Sequence, residues 1–156
     1  MDYRDNFPTP LGNLILGSDG SALTSLLFSE NMAEPVLQCS VFLMTKSWLS
    51  CYFEGWDPGP FPVPLSPKGT PFQQRVWSLL LDIPYGERRT YGELARQLSP
   101  SMSSQAVGAA IGKNPIAVII PCHRVLGSGG QLTGYAWGLS RKQFLLDLEQ
   151  KQAVQI

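Results

Sequence analysis

Residues 90–115 read TYGELARQLSPSMSSQAVGAAIGKNP, and their punctuation decides how the second half of the chain is built. Thr90 and Glu93 stand three apart ahead of an apolar run. In that pattern each side chain caps the other's backbone N–H at a helix start. The spacing predicts a helix from Tyr91 to about Leu98, ended by Pro100. Ser103 or Ser104 opens a second helix running to Gly112 or Lys113, where Asn114-Pro115 stops it. Two short helices joined by about four residues are a helix-turn-helix candidate. The second helix is nearly bare, with Ala106, Gly108, Ala109, Ala110 and Gly112. Glycine in a helix costs up to ~1 kcal/mol relative to alanine. Such a helix either admits a tightly packed neighbour or approaches a ligand backbone such as a DNA groove.

Working outward, Thr70-Pro71-Phe72-Gln73 is another capped start, with proline at the first helical position. Its helix is expected to run to about Ile83, ahead of Pro84-Tyr85-Gly86. Ile116–Ile120 reads as a fully buried strand leading into Pro121-Cys122-His123-Arg124-Val125. Ser140 and Gln143 cap a last helix with Phe144, Leu145 and Leu148 on one face. Toward the N-terminus, Asp57–Gly69 holds five prolines and reads as an extended linker. Before it, Leu14–Leu16 and Ala22–Phe28 are expected strands, joined by the turn residues Ser18-Asp19-Gly20-Ser21. Residues 36–54 are expected to be helical, with Val36, Leu37, Val41, Leu43, Met44, Trp48, Leu49 and Tyr52 on a broad apolar side. The expected fold class is α/β, of the α+β kind. A small N-terminal hairpin-plus-helix domain spans 1–57 and a proline-rich linker 58–69. A mostly helical C-terminal domain with the helix-turn-helix spans 70–156.

The chain has 156 residues, 44% hydrophobic and 15% charged, enough for one or two small domains and too apolar for disorder. No apolar run approaches the ~20 residues of a membrane span, and MDYRDNFPTP shows no secretory signal. Three cysteines make a disulfide framework improbable, and a reducing cytoplasmic setting fits them better. One histidine leaves too few ligands for a zinc site. The net charge of +0 hides an asymmetry: residues 1–67 carry Arg4 and Lys46 against seven acids, and 68–156 carry ten cations against five. The surplus in the second half hints at a polyanion surface.

Cys122 follows the buried run and precedes the chain's one histidine. Free cysteines are commonly inert buried hydrophobes. Here Pro121 fixes the backbone, His123 supplies a titratable base and Arg124 a local cation, conditions that favour a thiolate nucleophile. Neighbouring strand residues point to opposite faces, so the two side chains touch only if the chain turns there, and a bridging water is the easier route.

Ile119-Ile120-Pro121-Cys122-His123-Arg124-Val125 resembles the active-site signature of the O6-alkylguanine-DNA alkyltransferases, the methylated-DNA–protein-cysteine methyltransferases. The same order of motifs continues through Gly69–Trp77, Ile83–Gly86, Thr90–Ala95, Ala106–Gly108, Gly112–Pro115 and Gly134-Tyr135. The resemblance covers about 69–150; residues 1–57 match only loosely, through Thr9-Pro10-Leu11-Gly12 and the hairpin. It implies a DNA repair protein that flips O6-alkylguanine from duplex DNA and moves the alkyl group irreversibly to Cys122. Each molecule acts once, as a monomer, without cofactor, metal or membrane.

By the same resemblance, His123 takes the Cys122 proton through a water and Glu149 orients the imidazole. Asn114 holds the active-site turn, and Tyr91 donates to the leaving guanine. Tyr135 lies over the base pocket with Trp137 and Ile111 beside it, and the carbonyls of Cys122 and Val125 accept from the guanine amino group. Ser104, Gln105, Ala106, Gly108 and Ala109 enter the minor groove, and Arg75, Arg96, Lys113 and Arg124 contact phosphates. Two positions depart from the family pattern. Gln105 stands where the family usually inserts an arginine into the base stack. Trp137 stands where it often has a small residue, which predicts a gate against bulky alkyl groups. Three other classes stay open. One is a non-reactive lesion binder, though its relatives carry tryptophan in place of Cys122. The others are an unrelated cysteine hydrolase and a helix-turn-helix transcription factor.

Overall fold

The structure, a computed structural model, describes residues 2–35 and 38–154, with side chains to residue 151. The chain forms two compact units, Met1–Lys68 with Pro115–Ala117, and Gly69–Asn114 with Val118–Ile156.

The first unit is a three-stranded antiparallel meander, β1 (Tyr3–Thr9), β2 (Gly12–Ser18) and β3 (Leu23–Ser29), in that order. The expected hairpin is β2–β3. Asp19 closes its turn by accepting from Ser21 N–H and Ala22 N–H, both at 2.9 Å. β1 is an addition to the sequence reading. Its residues, YRDNFPT, are mostly polar because it is an edge strand, and Pro8 is tolerated there. Leu14, Leu16, Leu23 and Leu26 are fully buried in this unit, as are Leu49 and Tyr52 of α1 (Ser40–Phe53), with Phe42 nearly so. The helix starts later than position 36; Val36 and Leu37 lie outside the described residues. Lys46 pairs with Asp5 at 2.6 Å, fastening α1 to β1.

The free edge of β3 is covered twice. Leu23 N–H donates to Pro64 O and Leu23 O accepts from Ser66 N–H. Leu26 makes the same kind of bracket with Pro115 O and Ala117 N–H. An exposed strand edge templates aggregation, and both segments remove that hazard. The prolines of 58–68 keep that segment extended, but it is folded onto its own unit instead of hanging free. Trp48 donates to Gly59 O at 3.0 Å and meets Phe61 edge-on.

The second unit contains α2 (Pro71–Leu81), β4 (Arg89–Thr90), α3 (Tyr91–Leu98) and α4 (Ser104–Gly112). A single 3₁₀ turn (Cys122–Arg124), β5 (Val125–Leu126) and α5 (Leu139–Val154) complete it, with β4 and β5 parallel. Both capping boxes form, Thr70 with Gln73 and Thr90 with Glu93, and Ser103 caps α4. The bareness of α4 is partly packing. Trp77, 1% exposed, donates its indole N–H to Ala110 O at 2.9 Å. A side chain at Gly108 would meet the Tyr91 ring at 3.6 Å. On α5, Leu145, Leu146 and Leu148 are buried while Phe144 is only half-buried.

Ile116–Ile120 is buried throughout but is not a strand. Ile116 makes one bridge, to Leu26, and the chain then turns back with Val118 at φ 69°. The Asn114 side chain closes that turn by donating to Ile120 O at 3.0 Å. Continuous burial alone could not tell a strand from a buried turn held by a side chain.

These contacts rank two substitutions. Trp77→Ala removes a fully buried indole and should cost about 3–5 kcal/mol. Thr90→Ala removes one cap and should cost about 1 kcal/mol. Urea unfolding with unchanged m-values reads both, and a Thr90→Ala loss as large as that of Trp77→Ala would overturn the ranking.

Candidate active site

Cys122 lies 3% exposed at the start of the 3₁₀ turn, which is held by Cys122 N–H to Ile120 O at 2.8 Å and Arg124 N–H to Pro121 O at 3.0 Å. The Asn114 amide that closes the preceding turn also donates to Cys122 Sγ, at 3.3 Å. Asn114 is therefore more than a helix cap. Val125 is fully buried in β5, and its N–H donates back to the Cys122 carbonyl.

The turn sends His123 inward, where no part of it is exposed. Its Nε2 lies 2.6 Å from Glu149 Oε2 on α5. Arg124 grips the same carboxylate through Nε to Oε1 at 2.8 Å and Nη2 to Oε2 at 3.1 Å. Its Nη1 donates to Ile83 O at 2.7 Å, and its guanidinium lies 5.7 Å from the Tyr85 ring centre. Gly86 N–H adds a bond to Glu149 Oε1 at 3.0 Å. Gly86 holds φ 79° in the Pro84–Glu87 turn, which is why that position favours glycine.

Burial alone would raise the Glu149 pKa, but His123 and Arg124 reverse it and hold the carboxyl well below its ordinary range. Burial pushes the His123 imidazole below its ordinary value, and Glu149 only partly restores it. Glu149 is thus an anion that only accepts, so Nε2 carries the proton and Nδ1 is the basic nitrogen of a neutral ring. Burial pushes the Cys122 thiol up to about 11, against the opposing pull of Asn114, Lys142 and Tyr135. At rest Cys122 is a thiol and His123 a neutral imidazole held by Glu149.

Cys122 opens into a cavity of about 120 Å³ lined by Tyr91, Gly108, Ile111, Gly112, Gly134, Tyr135 and Ala136. Tyr91 and Gly108 also line a shallower groove of about 390 Å³ with Gly92, Ser104, Gln105 and Ser128. The exposed face of α4 therefore leads to the sulfur. The Tyr91 hydroxyl donates to Thr133 O at 3.2 Å. Burial raises the Tyr135 pKa well above its usual value, helped by the nearby Cys122.

The structure thus brings Cys122, Asn114, Tyr91, Tyr135 and Ile111 together at the cavity, and pairs His123 with Glu149 behind the same turn. Ser104, Gln105 and Ala109 are exposed on α4, with Ala106 and Gly108 half-buried. Arg75, Arg96 and Lys113 are exposed. One expectation is corrected. Arg124 is no phosphate contact: it is 8% exposed and its donors are committed to Glu149 and Ile83 O. Trp137 is not among the described residues lining the cavity; it packs edge-on against Tyr135, ring centres 5.4 Å apart. Sequence reasoning missed Lys142, which is fully buried. No local signal marks it, because lysine on a polar helix is ordinarily solvated.

Residues 71–151 match the family model for the DNA-binding domain of 6-O-methylguanine DNA methyltransferase. A methylated-DNA–protein-cysteine methyltransferase of Mycobacterium tuberculosis is 47% identical over 158 residues, covering 98% of this chain and 94% of the relative. One from Methanosarcina acetivorans is 44% identical over 153 residues, covering 94% and 97%. The crystal structure of the M. tuberculosis O6-methylguanine methyltransferase superposes with TM-score 0.86 at 44% identity, covering 97% of this chain and 94% of that one. A crystal structure of the M. tuberculosis protein in complex with DNA gives TM-score 0.85 at 45% identity, covering 94% and 92%. The similarity runs through both units and includes the cysteine turn, and the chain accordingly belongs to the O6-methylguanine DNA methyltransferases, the methylated-DNA–protein-cysteine methyltransferase family of DNA repair.

Proposed function

We propose that this chain repairs O6-alkylguanine in duplex DNA by moving the alkyl group onto its own Cys122, once per molecule. The observation that carries this reading is the cavity itself. It ends at a buried thiol, opens toward the exposed face of α4, and is backed by an oriented acid–base pair. α4 enters the minor groove through Ser104, Gln105, Ala106, Gly108 and Ala109, and Arg75, Arg96 and Lys113 meet phosphates. The damaged guanine turns out of the stack into the cavity, helped by the lower cost of opening a damaged pair. The protein works as an intracellular monomer with access to DNA.

The chemistry is a displacement at the alkyl carbon. The thiol proton passes through a water to His123, whose imidazolium Glu149 stabilises. The Cys122 sulfur bonds the alkyl carbon as the carbon–O6 bond breaks. The electron pair goes to the guanine, Tyr91 turns its O–H from the Thr133 carbonyl to the guanine as its charge grows, and the proton passes from His123 to the departing guanine. Arg124 keeps Glu149 ionised and aimed, which makes it a positioning residue.

Intact mass and peptide mapping after mixing with duplex DNA containing O6-methylguanine test the reading. One methyl group should appear, on Cys122. Cys122→Ala should gain none and still bind DNA, and His123→Ala should react ~10²-fold more slowly. Because the folded imidazole titrates below its ordinary 6.5, the rate should hold at pH 6.5 and fall only on further acidification. A Cys122→Ala protein that still removes the methyl group would sink the assignment.

Gln105 occupies the outer groove. If it fills the gap in the stack, Gln105→Arg should speed duplex repair and add about one unit to the salt slope of binding. Free base should react equally with both proteins. Unchanged duplex repair would show that another residue fills the gap.

Trp137 supports Tyr135 without lining the cavity. Trp137→Gly should therefore slow the reactions with O6-methylguanine in DNA and free O6-benzylguanine together. A selective gain with the benzyl compound would restore the gate.

A further inference from the structure

The chain leaves β5 through Gly127-Ser128-Gly129-Gly130-Gln131. Glycine loses more freedom on ordering than any other residue, so a stretch this rich in it is costly to hold still. Ser128 is exposed and lines the outer groove with Tyr91 and Gly92 of α3 and Ser104, Gln105 and Gly108 of α4. The groove that leads to the cavity is therefore walled by two helices and by a loop whose composition favours motion.

The loop is nevertheless closed. Its ends are fixed: Val125 and Leu126 are buried and pair with Arg89 and Thr90, and Thr133 O accepts from the Tyr91 hydroxyl. Backbone bonds close its base, with Gly127 N–H donating to Gln131 O and Gly130 N–H to Gly127 O, both at 2.9 Å. The tip is held by a side chain. Gln131 Oε1 accepts from Gly129 N–H, next to Ser128, at 3.0 Å. The glutamine amide lies against two of the glycines. A Cβ at Gly127 would come within 2.7 Å of its Oε1, and one at Gly129 within 2.9 Å of its Nε2. The glycines make room for the amide, and the amide restrains the freedom they bring.

Resting on the reading of this chain as a duplex-DNA alkyltransferase, we propose that Gln131 is a positioning residue for DNA. By bonding Gly129 N–H it holds Ser128 in place as a wall of the groove before DNA arrives. A loop ordered in the free protein need not be ordered at the expense of binding. The effect belongs to duplex binding and not to the chemistry, since neither Gln131 nor Ser128 is among the described residues lining the cavity at Cys122.

The test compares wild type with Gln131→Met, which keeps the length of the side chain and loses the acceptor, and Gln131→Glu, which keeps the acceptor. Gln131 is exposed, so neither change touches the core. Three quantities are read: backbone order parameters over 127–131 by NMR, transfer to Cys122 against concentration of O6-methylguanine duplex, and reaction with free O6-benzylguanine. Order parameters of the loop should be about 0.85 in wild type and Gln131→Glu and fall below about 0.6 in Gln131→Met. In Gln131→Met the half-saturating duplex concentration should rise roughly tenfold, the cost of fixing the backbone of one residue. Its rate at saturating duplex and its rate with the free base should match wild type.

A loop as ordered in Gln131→Met as in wild type would overturn the proposal. So would a mobile loop with unchanged half-saturation. Equal slowing at saturating duplex and with the free base would mark a disturbed cavity and reject it too. A duplex that leaves wild-type Cys122 unmethylated would instead reject the transfer reading on which this one stands.

Discussion

The Glu149 carboxylate is the charge around which the second unit is organised. It sits 1% exposed on α5 and receives His123, two donors of Arg124 and the Gly86 N–H. A buried charge of this kind is tolerated only when its partners are complete. The partners come from two stretches of chain far from α5 in sequence. The turn after α2 supplies Gly86 and the carbonyl of Ile83, and the 3₁₀ turn supplies His123 and Arg124. Removing any one donor leaves charge unmatched in a dry interior, so the cysteine turn and the segment after α2 are held in register by the same carboxylate. The bonds that orient His123 are also bonds that hold this unit's fold.

The same dryness governs the nucleophile. Desolvation pushes the Cys122 thiol up to about 11, so it rests protonated at neutral pH. Asn114 donates to the sulfur, His123 holds a basic Nδ1, and Lys142 places an ammonium among carbonyls and an aromatic face. The cavity beside the thiol exists because Gly108, Gly112, Gly134 and Ala136 have almost no side chains. The small residues of α4 also admit a packed neighbour: the Trp77 indole bonds the Ala110 carbonyl, while Gly108 lines both the cavity and the groove outside it.

The first unit solves a different constraint. A three-stranded meander has two free edges, and β3 would expose one along apolar Leu23 and Leu26. The proline-rich segment covers it at Leu23 and residues 115–117 cover it at Leu26. Proline fits at Pro64 and Pro115 because both act there through their carbonyls, the one backbone hydrogen-bonding group proline keeps.

Local chemistry determined much of this by itself. Thr90 with Glu93, Thr70 with Pro71 and Gln73, and Ser103 each mark a helix start, because a cap is written within four residues of the bonds it satisfies. The cysteine turn and its collinear motifs pointed to the family for the same reason: they are contiguous. What the tertiary structure decided are the long-range polar partners. Arg124 lies next to His123 in sequence and reads as a surface cation until α5 places Glu149 against it. Lys142 reads as a solvated helix residue until the Thr133 and Gly134 carbonyls fold over it. Trp137 reads as a pocket wall until its ring is seen against Tyr135. The buried run Ile116–Ile120 shows the limit most clearly. Hydrophobicity placed it inside, but the segment turns back at Val118, and the turn is closed by the Asn114 side chain reaching the Ile120 carbonyl. Burial follows composition, whereas the direction of a buried polar group follows from partners that only the folded chain brings near.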